Sequence, residues 1–159
     1  MMAAYNAGMN RRVYAAAARL DDAARRQDRG AFFGSIHATL NHLLWADRMW
    51  MARFANWPKP DAGIAGSVAL FATFDSLAAG RDATGMAMCA WAADIGAAWL
   101  AGDLSWYSGA LQRDVTRPVW VLVTHLFNHQ THHRGQVHAM LTQAGESTGD
   151  TGLFAVVEF

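Results

Sequence analysis

Residues 124–136 read T-H-L-F-N-H-Q-T-H-H-R-G-Q and hold four of the chain's seven histidines: His125, His129, His132 and His133. On a helix each residue advances about 100°. His125, His129, His132, His133 and Gln136 then fall on one face, and Leu122 and Met140 extend the same stripe at its two ends. A run of imidazoles thus interrupts an otherwise apolar, core-facing seam. Burying several imidazoles costs free energy unless they have partners, and a metal ion is the partner that accounts for so many.

The composition surrounding this stretch narrows the options. The 159 residues suggest one domain, 1–159, with a core large enough to fold unaided. Net charge is +0 and charged residues make up 16%. A nucleic-acid footprint needs a basic stripe, so no nucleic-acid partner is expected. The hydrophobic share of 53% is rich in alanine and includes seven tryptophans, which suits close helix packing. The single cysteine, Cys89, rules out an intrachain disulfide and fits a reducing compartment. No apolar run reaches the length of about 18 residues that a membrane span needs. With no basic-then-apolar leader at the N-terminus, the expectation is a soluble cytoplasmic protein without a membrane partner.

Hydrophobic periodicity predicts an all-α fold of four helices arranged as a four-helix bundle. The first helix spans 1–28, with Tyr5, Met9, Val13, Ala16, Ala17, Leu20 and Ala24 on its apolar stripe. The second runs from Ala31 to Phe54 and carries His42 among Ala38, Thr39, Ala46 and Met49. His37 is about 140° away and should face solvent. Asn56 to Gly66, with Pro58, Pro60 and two glycines, is a connection. It exceeds the roughly 2–8 residues usual between bundle helices, so the second and third helices could run parallel. The third covers 67–101, weakened at Gly80 and Gly85, with Arg81 unexplained on its stripe. Residues 102–116 suggest a short hairpin or irregular excursion. Pro118 suits the first turn of the fourth helix, with Thr116 as N-cap and Gly145 as C-cap near Gln143. The tail, Leu153 to Phe159, is apolar and β-prone, and should lie across the bundle or against a partner.

His129 and His133, spaced i and i+4, place two rings on adjacent turns, which lets them hold one first-row metal ion. The H-x-x-x-H pattern alone is common by chance. The competing reading is a polar core cluster or a solvated patch. His42, on another core-facing stripe, is a third candidate ligand or a satisfied core histidine. Three histidines would leave open positions for water or substrate, as in catalytic zinc sites. His125, His132 and Gln136 would line the cavity or hydrogen-bond the ligands, and His138 points away. Cys89 and the tryptophans at 45, 50, 91, 99 and 120 read as core packing. Arg134 suits a salt bridge, with Asp47 as candidate partner.

The stretch H-L-F-N-H-Q-T-H-H-R-G-Q at 125–136 resembles the signature of the DinB family. T-L-N-H-L-L-W-A-D-R-M-W at 39–50 is similar to that family's second-helix hallmark, and Y-N-A-G-M-N-R-R-V-Y at 5–14 to its first helix, where the family often has Trp in place of Gly8. The resemblance covers nearly the whole chain. It implies His42, His129 and His133 as ligands of a divalent ion, commonly nickel or zinc, and a homodimer. Some relatives in the wider superfamily are S-transferases or isomerases that use low-molecular-weight thiols such as mycothiol or bacillithiol.

Two functions follow as expectations. One is a metal-dependent enzyme acting on a small molecule by thiol transfer or hydrolysis. Asp and Glu are absent from 115 to 145, so a general base would have to be a histidine, with His125 and His132 as candidates, and thiol activation gains on protease-like hydrolysis. The other is a non-catalytic stress-response module in which the ion is structural.

Overall fold

The computed structural model describes residues 1–157. It is mostly helical, with one small two-stranded sheet. Four long helices dominate: α1 (Met2–Ala18), α3 (Ile36–Ala55), α4 (Phe74–Asp94) and α6 (Val119–Gln143). Three short ones accompany them: α2 (Asp22–Arg26), α5 (Ala97–Leu100) and α7 (Leu153–Val156).

The expected first helix, 1–28, is divided. It stops at Ala18, and α2 restarts with Asp21 as N-cap, whose side chain accepts from the Ala24 N–H. Arg25 then donates to the Ala17 and Leu20 carbonyls and satisfies the end of α1. The second helix begins five residues later than expected. Residues 31–34 form a tight turn, and Ser35 is the N-cap, its hydroxyl accepting from Ala38 N–H at 3.2 Å. Asn56, in the left-handed conformation at φ 55°, ends α3.

The connection after α3 is longer than the expected 56–66. It runs to Thr73 and contains a 3₁₀ helix, Ile64–Ala69, where the third helix was expected to have begun. It returns along α3. Ala62 accepts from the Trp45 indole at 2.7 Å, Ser67 meets His42 at 2.9 Å, and the Phe71 amide donates to Asn41 at 2.7 Å. The chain is thereby carried back to the start of α3 before α4 begins. Leu44 lies against Gly80, Asp47 against Arg81 and Phe54 against Trp91, so α3 and α4 run parallel. Across α3 and α6 the order reverses, with His42 at His129 and Trp50 at His125, so that pair is antiparallel. Helix α1 contacts α4 and α6.

This returning connection also corrects the expectation for His37. It is buried, 3.2 Å from the Phe71 carbonyl, because 57–73 covers the face it was expected to show to solvent. Helix α4 is unbroken through Gly80 and Gly85 and ends at Asp94. A Cβ on Gly80 would lie 2.9 Å from Phe71 Cζ and 3.2 Å from Leu44 Cδ2, so this glycine serves close approach.

The excursion before the last long helix is an antiparallel hairpin, β1 (Asp103–Ser108) and β2 (Arg113–Pro118), with Trp106 opposite Val115. Thr116 is therefore a strand residue that meets Ser105 at 2.7 Å, and not a helix cap; Pro118 takes the cap position. Gly145, at φ 83°, terminates α6 as expected. Its N–H donates to Thr142 and that of Glu146 to Leu141, the Schellman pattern. The tail settles on α1: the Tyr5 hydroxyl donates to the Thr151 carbonyl at 2.8 Å, and Val156 fills the space beside Gly8. A bulky residue at position 8 would displace this short helix. Glu158 and Phe159 lie outside the described residues.

Two apolar clusters form the core. One centres on Val13, Leu40, Leu44, Leu77 and Leu141, the other on Met51, Phe54, Met88, Leu122 and Leu126. Between them Arg81 donates to Asp47 at 2.6 Å, both side chains almost fully buried. That pairing accounts for an arginine on the apolar stripe of α4. It also displaces the expected Arg134–Asp47 bridge. Arg134 donates instead to Asn6 and to Gln130, and Gln130 in turn donates to Asp47.

Candidate metal centre

Antiparallel packing of α3 on α6 brings His42 to the turn-spaced pair His129 and His133. One ring nitrogen from each lies within 4.8 Å of the other two, so these three residues could hold a metal ion. His42 Nε2 is 3.2 Å from His129 Nε2. Two nitrogens bound to one tetrahedral ion at about 2.0–2.1 Å each stand roughly 3.3–3.4 Å apart, so this spacing matches a shared ion.

The remaining ring nitrogens orient the imidazoles. His42 Nδ1 faces the Ser67 hydroxyl at 2.9 Å. His133 Nδ1 donates to the Gln136 side-chain oxygen at 2.8 Å. Each contact, with the proton on Nδ1, leaves Nε2 with a free lone pair, the tautomer a metal ligand needs. His129 Nδ1 is buried without a partner among the described residues. Burial, reinforced by the neighbouring histidines, depresses the basicity of all three. His42 is pushed down to about 4 and His129 to about 3, and His133 is lowered in the same sense. The group is therefore neutral near pH 7 and available to coordinate.

His125 and His132 stand beside the triad and remain exposed. The His125 ring lies 5.9 Å from His129, and the His132 ring 4.8 Å from His133. Gln136, through His133, is the closest supporting residue. His138 points away to Thr148 at 2.6 Å. Cys89 is half-buried on α4. Trp45 is buried and stacks on His42 at 5.8 Å, whereas Trp120 is exposed and not a core residue as expected. A concavity of about 770 Å³ between α1 and α4 contains none of these histidines.

Sequence reading missed two contributors. Ser67 sits in the returning connection, 25 residues beyond His42, with no local pattern to mark it. Phe33 covers His42 with ring centroids 4.0 Å apart and lies 5.2 Å from His133. The glycines that flank it, Gly30 and Gly34, both at positive φ, were the available signal of a shaped turn there.

Fold and site together define a helical protein with a largely buried three-histidine group that could hold one ion. The DinB family model matches residues 1–155, and the chain belongs to the DinB family. No curated protein and no solved structure gave a match.

Proposed function

We propose that the chain forms a single four-helix-bundle domain that binds one divalent first-row ion through His42, His129 and His133, zinc or nickel by preference, and acts on a small molecule at the open side of that ion. The observation that carries this reading is the convergence of three neutral imidazoles from two helices. A proton on one Nε2 would satisfy the His42–His129 contact alone; a ring nitrogen of a third histidine within 4.8 Å of both favours a cation.

A bound ion supplies Lewis acidity, which lowers the pKa of a water or a thiol toward neutrality. The protein's own residues do the remaining work. Ser67 and Gln136 fix the ring orientations of His42 and His133. Phe33 and Trp45 shield His42 and limit water access. His132 and His125, exposed beside the triad, are placed to take or give a proton. Among the described residues no carboxylate joins the triad, which favours transfer from a low-molecular-weight thiol over hydrolysis that needs a glutamate base.

The test loads the protein with zinc or nickel and assays thiol-plus-electrophile and ester panels beside His133→Ala. Turnover by the wild type alone is the expected result; equal silence from both proteins counts against an enzyme. A structural ion is the second reading, favoured because the site ties α3 to α6. It requires a large loss of thermal stability on metal removal and no access for azide. The family-based proposal of a homodimer is checked by sedimentation equilibrium.

A further inference from the structure

Among the described residues Arg53 is a cation without an anion. It lies on α3, eleven residues after His42, which returns it to within about 20° of the same helical face. Its guanidinium stacks on Trp50 at 4.5 Å and stands 5.7 Å from the Trp106 ring of the hairpin. Stacking uses the π face and leaves the in-plane N–H donors free. Among the described residues no carboxylate pairs with it; the ion pairs there involve Arg19, Arg25, Arg26 and Arg81. Arg53 as a whole is half-buried. A solvated surface arginine would show the same lack of partners, but this one is held by two indoles and faces the metal-site side of the helix.

A chain of rings joins it to the three histidines. Trp50 meets His125 at 5.3 Å, and His125 meets His129 at 5.9 Å. Eleven residues at about 1.5 Å each set Arg53 roughly 16 Å along α3 from His42, and these ring-to-ring steps bridge that interval.

We infer that Arg53 is the anion anchor of this site, and that its substrate is an elongated small molecule with an apolar body along Trp50 and His125 and one carboxylate- or phosphate-type group on the guanidinium, its reacting end lying at the three histidines. The inference rests on the metal-site reading for the reacting end alone. Arginine suits the task because its planar fork keeps its charge and meets such oxygens two at a time. Trp50 and Trp106 hold the fork in place, so little freedom is lost when the anion docks.

The experiment uses zinc-loaded full-length protein, with zinc content measured by atomic emission. Suberic acid monohydroxamate and octanohydroxamic acid share a metal-binding head and differ in a terminal carboxylate. Calorimetric titration should give a ratio of their affinities that falls about tenfold in Arg53→Gln, the loss expected for a charge-assisted contact, and is partly kept in Arg53→Lys, at equal zinc content. An unchanged ratio overturns the inference. Metal-free protein separates the two readings. There octanoate should shift the Arg53 Nε–H resonance and 1-octanol should not. If zinc fails to bind yet octanoate shifts that resonance, the metal reading fails and the anion anchor stands. If octanoate leaves it unmoved, the anchor is wrong.

Discussion

At the scale of single residues, the site depends on side chains that hold the imidazoles as much as on the imidazoles themselves. Gln136 accepts from His133 Nδ1, and loss of such a partner typically weakens metal affinity about 10–100-fold. Gln136→Ala should fall in that range by competition with a chromophoric chelator, and His133→Ala should lose more. The buried pair is a separate matter. Asp47 receives Arg81 and Gln130 with almost no solvent contact. Removing one member strands the other, at a cost of about 3–5 kcal/mol. Asp47→Ala should lower the urea midpoint accordingly. Joint replacement of Asp47 and Arg81 by leucine and methionine should recover much of the loss, since a buried pair and an apolar pair of similar volume are often close in stability.

At the scale of elements, caps and the returning connection decide register. Gly145 sits at φ 83° in the Schellman turn that closes α6, with nothing within 4 Å of where a Cβ would stand. Gly145→Ala therefore isolates backbone strain from crowding. It should cost about 1–2 kcal/mol, read as a lower denaturant midpoint at unchanged slope. The connection from 56 to 73 matters more. Its contacts to Trp45, His42 and Asn41 run backward along α3, which makes α3 and α4 parallel and delivers Ser67 to the three-histidine group. The length of the proline-containing link pointed to a parallel pair. The 3₁₀ turn inside it, and the burial of His37 beneath it, were not legible, because hydropathy has no period over such a segment.

At the scale of the molecule, the proposed metal binding would be linked to folding. An ion that binds only the native state stabilises it by mass action, so chelation by EDTA should lower the melting temperature, and zinc or nickel should restore it. The pH dependence has a definite sign. An unfolded imidazole titrates near 6.5, whereas folded His42 and His129 titrate at about 4 and about 3. Between those values the unfolded chain binds more protons, so stability of the metal-free protein should be complete above pH 6.5 and fall as the pH drops toward 4. Metal occupancy should decline over the same window, because protons compete for the ligand lone pairs. Calorimetry across pH 4–8, with and without metal, checks both; a melting temperature that does not fall below pH 6.5 would contradict the linkage.

The helical character, the H-x-x-x-H pair on one face, the family and the Gly145 stop were all readable in the linear order. Periodicity, spacing and turn chemistry are local properties, and they survive projection onto one dimension. The break after Ala18, the Arg81–Asp47 pair and the contribution of Ser67 came only from the folded chain. Each depends on which side chains meet across 25 or more residues, or on whether a carbonyl at a helix end finds a donor such as Arg25. The residues at 42, 129 and 133 span both cases. Their chemistry is in the letters, whereas their meeting point exists because α3 and α6 pack antiparallel and bring the three rings together.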